Sequence, residues 1–177
     1  MRLADTTTSS VIILSSDVAV IPLPDFKQKM VQIGYLARTA NLLGIATPKI
    51  ACIAPSEQLL PNVISSTEGA LLAKMADRGQ LGNVVVDGPL SLDVALYKEV
   101  AEHKKVKGSS VAGDPDCLLF PNLESANVFF KSVTHLCGGE LAAMVMGTKV
   151  PCVLTSRGDT SKTKLFSIAL ACLAVKK

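Results

Sequence analysis

The sequence has no tryptophan, few aromatic residues and no long apolar run. Aromatic residues make up 4% of the 177 residues, whereas hydrophobic residues make up 49% and charged residues 19%. This composition argues against a disordered chain. It predicts a core of Val, Ile, Leu and Ala, which is typical of a parallel α/β sheet. The longest apolar run, residues 168–175, is far too short to span a bilayer, so no membrane partner is expected.

The chain also lacks a strong excess of charge of either sign. Its net charge is only +3, and no dense basic stripe is interleaved with aromatic residues, so no nucleic-acid partner is expected. The Lys-rich stretch formed by Lys104, Lys105 and Lys107 is interpreted as a solvated surface turn rather than a partner site. The small positive excess still suits an anionic substrate such as a phosphate or a nucleotide-tailed thioester.

The five cysteines form no C-x-x-C pair, and their number is odd. This pattern excludes a disulfide framework and a zinc site, so no metal is expected. Four of them (Cys52, Cys117, Cys152 and Cys172) lie in or beside apolar runs, where a free thiol behaves as a small hydrophobic group. Residues 1–10 show no charged-then-apolar signal pattern. The sequence therefore predicts a cytoplasmic protein.

Several familiar catalytic motifs are missing. There is no G-x-S-x-G elbow, no G-x-x-x-x-G-K-[ST] loop and no G-x-G-x-x-G fingerprint, so serine hydrolase, P-loop and dinucleotide-binding functions are unsupported. The two histidines, His103 and His135, fall late in predicted helices, where they are expected to be C-terminal helix charges rather than bases.

Short apolar runs alternate with stretches of helical period. This alternation predicts βαβ units and a three-layer α/β fold, with a mostly parallel sheet and helices on both faces. Ligands bind such folds at the carboxyl ends of the strands. The predicted strands are residues 11–14, 18–21, 49–53, 83–86, 116–120, 141–146 and 150–154. The predicted helices are residues 25–44, 67–78, a segment from Pro89 or Ser91 to about His103, 124–137 and 160–175.

Three turns that follow predicted strands carry the candidate polar groups. In the first, Asp87 and Gly88 follow a run of valines, and the Asp87 carboxylate either holds a ligand or caps the next helix. In the second, Asn122, Asn127 and Lys131 lie at the start of a helix, where backbone N–H groups and the helix dipole favour an anion. Asn122 could equally be an N-cap.

The third turn gathers Thr155, Ser156, Arg157 and Asp159 between a predicted strand and a helix. The Arg157 guanidinium offers a fork of donors that matches phosphate oxygens. The alternative to phosphate binding is that Arg157 and Asp159 form an ion pair with a purely structural role. The embedded R-G-D triplet carries no adhesion meaning, because a three-residue match is weak.

These turns, in this order, resemble the phosphate acetyl/butyryltransferase family, and the likeness covers roughly residues 15–171. The D-G-P-L and T-S-R-x-D forms look like the butyryl branch. Looser matches lie at residues 16–20 and 27–29. The segments that carry the resemblance are residues 74–80 (K-M-A-D-R-G-Q), 86–93 (V-D-G-P-L-S-L-D), 111–127 with Lys131, 150–161 (V-P-C-V-L-T-S-R-G-D-T-S), 164–165 and 167–171.

The resemblance implies a fold like that of isocitrate and isopropylmalate dehydrogenases, with an active cleft between two domains. Residues 1–149 would be the second, inserted domain, and residues 150–177 a strand and helix that return to the first domain. Self-association, as a homodimer, is expected on a separate ground, because a truncated domain would leave an apolar face that needs cover.

The implied activity is exchange of a short acyl group, butyryl in this branch, between coenzyme A and phosphate, with no cofactor besides these substrates. Ser156 would contact the thiol or carbonyl, and Arg157 would hold the phosphate. The acetyl branch has an Asp seven residues after that Ser, assigned to thiol activation; here Thr163 stands there, so Asp159 is the substitute. Asn122, Asn127 and Lys131 would line the cleft, and Asp87 would help to shape it.

Three alternatives remain beside this interpretation. The first is a phosphate acetyltransferase. The second is a non-catalytic fragment that binds coenzyme A or pairs with itself. The third is dehydrogenase-like chemistry on a phosphorylated hydroxy acid, which the absence of clustered aspartates and histidines for a metal disfavours.

Overall fold

The computed structural model describes residues 12–175. The chain divides between Asn127 and Val128 into two compact units, and the boundary falls inside one helix. The predicted strand at residues 11–14 begins outside the described part. Within the described part, the strand at this position is β1 (Leu14–Ser16).

The first unit alternates strands and helices. After β1 the strands are β2 (Lys49–Ile53), β3 (Val85–Leu90) and β4 (Cys117–Leu119). The helices are α1 (Phe26–Leu42), α2 (Ile64–Asp77), α3 (Leu92–Leu96) and α4 (Lys98–His103). Helix α5 (Leu123–Leu136) begins in this unit and ends in the second.

The four strands form one parallel sheet in the order β1-β4-β2-β3. The first two crossovers, through α1 and α2, move in one direction across the sheet, and the third, through α3 and α4, moves back. Since such crossovers are right-handed, the two sets of helices belong on opposite faces. The carboxyl ends of all four strands lie along one edge of the sheet.

Both faces of the sheet are buried. Ile50 and Cys52 of β2 belong to the main apolar cluster with Ile33 and Leu36 of α1. Ala51, which alternates with them along β2, is fully buried outside this cluster. Strands covered on both faces are typical of parallel sheets, and the predicted parallel α/β class is therefore confirmed.

Helix α1 agrees closely with its prediction because its signals are local. The Asp25 side chain accepts a 2.8 Å hydrogen bond from the Gln28 backbone, and the Gln28 side chain accepts one from the Asp25 backbone. This reciprocal capping box starts the helix. Gly44, with φ of 89°, follows the end of the helix, where a left-handed residue is favoured.

The strand predicted at residues 18–21 is wrong. The Asp17 carboxylate accepts hydrogen bonds from the backbone N–H groups of Ala19, Val20 and Ile21. These amides therefore bond to a side chain instead of a neighbouring strand. The segment forms a loop that follows β1.

The predicted turn at Asp87 and Gly88 is also wrong, because β3 continues through it to Leu90. The Ala54 N–H donates to the Leu90 carbonyl and extends the pairing with β2. Pro89 is tolerated there because β3 is one of the two edge strands of this sheet in the described part of the chain. Ser91, and not Asp87, is the N-cap of α3. The single helix predicted to end near His103 is divided at Tyr97 into α3 and α4.

The second unit contains the rest of α5 and helix α6 (Ser161–Leu173). Thr160 caps α6 by accepting a hydrogen bond from the Thr163 N–H. The strands predicted at 141–146 and 150–154 are wrong: these residues form one antiparallel bridge, between Val145 and Cys152. Pro151 lies inside the second predicted strand and has no backbone N–H to donate to a partner strand, and an isolated pair of short strands is only marginally stable.

Candidate functional site

Polar side chains organise the loops at the carboxyl edge of the sheet in the first unit. Directly after β1, both oxygens of the Asp17 carboxylate accept backbone hydrogen bonds of 2.8 to 3.0 Å from residues 19–21. Asp17 is not among the site residues predicted from the sequence. The position of Asp17, directly after a short apolar run, is the feature of the sequence that could have indicated it. The carboxylate fixes the course of this loop.

Asn127, predicted to line the cleft, holds the same loop from α5. Its side-chain amide donates a 2.9 Å hydrogen bond to the Val18 carbonyl. The Leu123 backbone N–H donates a 3.0 Å hydrogen bond to the Pro22 carbonyl. The start of α5 and the loop after β1 are therefore joined at two points.

Asn122 adopts the capping role that the sequence had left open. Its side-chain oxygen accepts a 2.9 Å hydrogen bond from the Ser125 N–H, and the Ser125 hydroxyl donates to the Asn122 carbonyl. One of the first N–H groups of α5 therefore bonds to Asn122 rather than to a ligand. The predicted contact of Asn122 with substrate stays a prediction.

Asp87 lies on β3 beside the buried Cys52 thiol. Its carboxylate is half-buried and accepts a 2.8 Å hydrogen bond from the Gly88 N–H. Burial and, secondly, the negative charge of Asp87 raise the pKa of Cys52 to about 12. The Cys52 thiol is therefore neutral near pH 7 and is not a nucleophile in this state.

A partly buried ion pair lies close to Cys52, and the sequence patterns do not predict it. Lys29 of α1 is 5% exposed, and its ammonium group lies 2.5 Å from the Glu68 carboxylate on α2. Both residues line a recess at the carboxyl ends of β2 and β4. The sequence offers one indication of this pair: Lys29 lies beside Met30 and Ile33, on the apolar side of the predicted helix.

Lys104 joins three polar groups at the end of β3. Its ammonium group lies 3.0 Å from the Asp93 carboxylate, 3.4 Å from Glu57 and 3.2 Å from the Ser91 hydroxyl. Hydrogen bonding from Ser91, then from Lys104 and the Val94 backbone, lowers the pKa of Asp93 to about 2. The Lys-rich stretch is thus a surface turn at Lys105 and Lys107, whereas Lys104 ties the turn to the β2–α2 loop.

The second unit holds the turn that was predicted to be catalytic. The Asp159 carboxylate accepts a 2.7 Å hydrogen bond from the Ser156 N–H, and the Asp159 N–H donates a 3.1 Å bond to the Ser156 carbonyl. The side chains of Ser156 and Arg157 are exposed, and Thr155 is half-buried. The turn therefore presents a hydroxyl and a guanidinium to solvent.

The structure brings together only some of the predicted residues. Ser156 and Asp159 meet in one turn, and Asn122 and Asn127 both act on the start of α5. Lys131 is exposed on α5, with its ammonium group 4.7 Å from the centre of the Phe130 ring. In residues 12–175, no group of three His, Cys, Asp or Glu side chains is arranged to hold a metal ion.

These features define a class of protein: a parallel α/β domain whose loops at the carboxyl edge of the sheet are built by polar side chains. Such edges bind ligands. The chain belongs to the phosphate acetyl/butaryl transferase family, whose sequence model matches residues 5–172.

Relatives in both branches of the family resemble the chain over most of its length. It is 44% identical to a phosphate butyryltransferase of Clostridium acetobutylicum over 158 residues, which cover 89% of this chain and 52% of the relative. It is 39% identical to a phosphate acetyltransferase of Thermotoga maritima, with 90% and 54% covered. The chain thus spans about half the length of the curated relatives it matches.

The fold also agrees with a solved structure. A branched-chain phosphotransacylase from Enterococcus faecalis V583 superposes with a TM-score of 0.83 at 31% identity, over 91% of this chain and 57% of that one. The resemblance inferred from the sequence motifs is confirmed. None of the helices between residues 12 and 175 has the length and apolar character that a bilayer-spanning segment requires.

Proposed function

We propose that the chain takes part in transfer of a short acyl group, butyryl rather than acetyl, between coenzyme A and inorganic phosphate. The observation that carries the proposal is the 44% identity to a phosphate butyryltransferase over 89% of the chain. A second phosphate butyryltransferase, from Clostridium beijerinckii, is 43% identical over 92% of the chain and supports the same chemistry. No cofactor is required besides the two substrates.

The reaction needs a thiolate, and it needs a group that stabilises the negative charge on phosphate. The sulfur of coenzyme A attacks the carbonyl carbon of the acyl phosphate; the C–S bond forms, the C–O bond to phosphate breaks, and phosphate leaves with that electron pair. The thiol proton passes to a base. In this scheme the Arg157 guanidinium binds phosphate oxygens through paired donors, and the Ser156 hydroxyl donates to the carbonyl oxygen.

Asp159 fits this scheme as a positioning residue. Its carboxylate is bonded to the Ser156 N–H, so it holds the Ser156 and Arg157 backbone in one turn. The predicted role of Asp159 in thiol activation is a separate proposal. Asn122 and Asn127 would shape the edge beside the loop after β1, Lys131 would lie along the cleft, and Thr155 would adjoin Ser156.

The finer architecture is also proposed. We place the chain in the isocitrate and isopropylmalate dehydrogenase-like fold, with residues 1–149 as the second domain and residues 150–177 returning to a first domain. A homodimer is the proposed assembly. The structural likeness to the Enterococcus faecalis phosphotransacylase supports the α/β fold on which this placement rests.

The experiment is a measurement of thiol release from butyryl-CoA with added phosphate, followed with a thiol-reactive dye, beside the same measurement with acetyl-CoA. The dye also reacts with protein thiols, so the protein is reacted with it first and the residual rate is measured. Faster turnover of butyryl-CoA supports the proposal. Faster turnover of acetyl-CoA favours the second candidate, a phosphate acetyltransferase, which the 39% identity to the Thermotoga maritima enzyme supports.

A third candidate is a chain that binds coenzyme A without turnover. The observation in its favour is that the chain spans only about half the length of its curated relatives. Folded protein that binds coenzyme A but releases no thiol from either thioester would establish it.

A further inference from the structure

The loop after β1, residues 17–25, is held in place by polar side chains. Both oxygens of the Asp17 carboxylate accept hydrogen bonds from the backbone N–H groups of residues 19–21, at 2.8 to 3.0 Å. The start of α5 also holds the loop, because the Asn127 side-chain amide donates to the Val18 carbonyl at 2.9 Å. These hydrogen bonds order the backbone of the loop, so a contact with a ligand costs it little conformational entropy.

The side chains that this loop presents are apolar. Between Asp17 and Asp25 the sequence reads V-A-V-I-P-L-P, so none of these side chains carries a charge or forms a hydrogen bond. Val20 is 59% exposed and Leu23 is 75% exposed. Apolar side chains that an ordered backbone holds in water gain free energy when another apolar group covers them.

The loop lies at the carboxyl edge of the sheet, where parallel α/β folds bind ligands. Strand β4 pairs with β1 on one side and with β2 on the other, so the loops after β1 and β2 flank the end of β4. The second of these loops contributes exposed Leu59, and α2 begins there with exposed Ile64. Four of the seven exposed large apolar side chains in residues 12–127 therefore belong to this edge.

The polar groups of the loop argue against a phosphate as its ligand. An anion needs backbone N–H groups or positive charge. The N–H groups of residues 19–21 already donate to Asp17, and the carboxylate of Asp17 repels an anion. The loop therefore suits an uncharged hydrocarbon group. Among the substrates of the proposed reaction, the acyl chain is such a group, whereas phosphate and the nucleotide part of coenzyme A are charged.

We propose that Val20 and Leu23 contact the acyl chain of the substrate, and that Asp17 is the positioning residue that holds them for this contact. The inference rests on the proposed function, which supplies the thioester. A butyryl group has two methylene groups more than an acetyl group, and each methylene group that leaves water adds to the affinity. The loop thus covers a longer stretch of hydrocarbon in butyryl than in acetyl, and it contributes to the preference for chain length.

The test is nuclear magnetic resonance on the full chain with ¹³C-labelled Val and Leu methyl groups, titrated without phosphate. The ligands are butyryl-CoA, acetyl-CoA and coenzyme A. The Val20 and Leu23 signals are identified by their loss in Val20→Ala and Leu23→Ala. Butyryl-CoA is expected to shift both signals, acetyl-CoA to shift them less, and coenzyme A to leave them unchanged. The matched controls are Val31 on α1 and Leu71 on α2, which are exposed on helices and are expected not to respond.

Turnover gives a second measurement of the same contact. In thiol release with phosphate, Val20→Ala and Leu23→Ala are each expected to lower the kcat/KM for butyryl-CoA relative to acetyl-CoA roughly threefold to fivefold. The change is expected in KM, because the contact binds the ground state and the transition state alike. Val31→Ala and Leu71→Ala are expected to keep the wild-type ratio.

The positioning role of Asp17 has its own test. Asp17→Ala removes the acceptor of all three N–H groups, so the Val20 signal is expected to lose its dependence on chain length and the butyryl-to-acetyl ratio to fall. Asp17→Asn keeps the oxygen Oδ1, which accepts from Ala19 and Val20, and is expected to restore most of both. Equal losses with the two thioesters in Asp17→Ala would show a merely structural role. The wild-type methyl shifts decide the contact even if Asp17→Ala does not fold.

Two outcomes would overturn the contact with the acyl chain. One is that the Val20 and Leu23 signals stay unchanged at the highest butyryl-CoA concentration reached. The other is that coenzyme A shifts these signals as much as butyryl-CoA does, which would place another part of coenzyme A on the loop.

The proposed function can fail separately from this inference. The methyl shifts are measured without turnover, so a chain in which butyryl-CoA shifts the Val20 and Leu23 signals but releases no thiol refutes only the activity. Conversely, a chain that turns over butyryl-CoA while these signals stay unchanged refutes only the role of the loop.

Discussion

The Asp159 carboxylate accepts a 2.7 Å hydrogen bond from the backbone N–H of Ser156, and the Asp159 N–H returns a bond to the Ser156 carbonyl. This pair closes the turn that carries Arg157. The Asp159 carboxylate, which was predicted to activate a thiol, therefore also shapes the turn around Ser156. Substitutions of Asp159 can separate this positioning role from a role in proton transfer.

Asp159→Asn keeps an acceptor oxygen for the Ser156 N–H, whereas Asp159→Ala removes it. We expect the Ala variant to lose on the order of 10- to 100-fold in kcat for thiol release from butyryl-CoA with phosphate, because the turn is no longer held. The Asn variant is expected to keep most of the wild-type rate. Equal losses in the two variants, with a changed pH profile, would assign the thiol-activating role to Asp159 instead.

Arg157→Ala is expected to lower the rate of acyl transfer at least about tenfold, as for one charge-assisted contact to phosphate. Arg157→Lys is expected to recover only part of the rate, because an ammonium group lacks the paired donors of guanidinium. Thiol release from butyryl-CoA is measured as a function of phosphate concentration. Lys107→Ala, which removes the same charge from an exposed site, serves as the control, and kinetics of Arg157→Ala that match this control would refute the role.

The five cysteines are expected to divide into two reactivity classes. Cys137, Cys152 and Cys172 are exposed, whereas Cys52 and Cys117 are buried. Burial, aided by neighbouring carboxylates, raises the pKa of each buried thiol to about 12, so the reactive thiolate is scarce even at pH 9. Mass spectrometry after brief iodoacetamide treatment should show three labels on native protein and five in denaturant. Early labelling of Cys52 would contradict the burial on which the recess depends.

Gly88 allows a close approach of β3 to β2. A Cβ atom built at Gly88 would lie 2.6 Å from the Cβ of Cys52, which is far inside contact distance. Gly88→Ala is therefore expected to lower the free energy of unfolding by about 1–3 kcal/mol, measured by urea denaturation. The matched control is Gly34→Ala in the middle of α1, where nothing lies within 4 Å. That change is expected to stabilise the protein by roughly 0.5–1 kcal/mol.

The pKa of Asp93 is about 2 in the folded chain, against an ordinary value of 3.8. Part of the free energy of unfolding therefore depends on pH in the acidic range. A lowered folded-state pKa contributes stability that is present above about pH 4. That contribution is lost as the pH falls from about 4 to 2. The contribution is small and sensitive to salt, since the Asp93 side chain is 49% exposed.

A carboxyl-carbon titration by nuclear magnetic resonance measures this pKa directly. Lys104→Met is expected to raise the Asp93 value towards its ordinary range, and Ser91→Ala to raise it further, because the Ser91 hydroxyl is the larger cause. Ion pairing would be refuted as a cause if Lys104→Met left the titration of Asp93 unchanged.

Elements with local signals were predicted well from the sequence. Helix α1 starts at a capping box four residues long, and β2 is a short apolar run with loops on both sides, so both have local signals in the sequence. The resemblance to the transferase family rested on short motifs in order, and it required no knowledge of contacts. The turn that joins Ser156 to Asp159 is local as well, although its hydrogen bonds were not predicted.

The sequence by itself thus determined the class of fold, the family and the segments from which a site is built. Only the tertiary structure decided that β3 runs through Asp87 to Leu90, because the strand continues where β2 offers it backbone partners. It alone paired Lys29 with Glu68, 39 residues apart, and buried the Gln32 side chain. Such contacts depend on how helices pack across a sheet, and no local pattern encodes that packing.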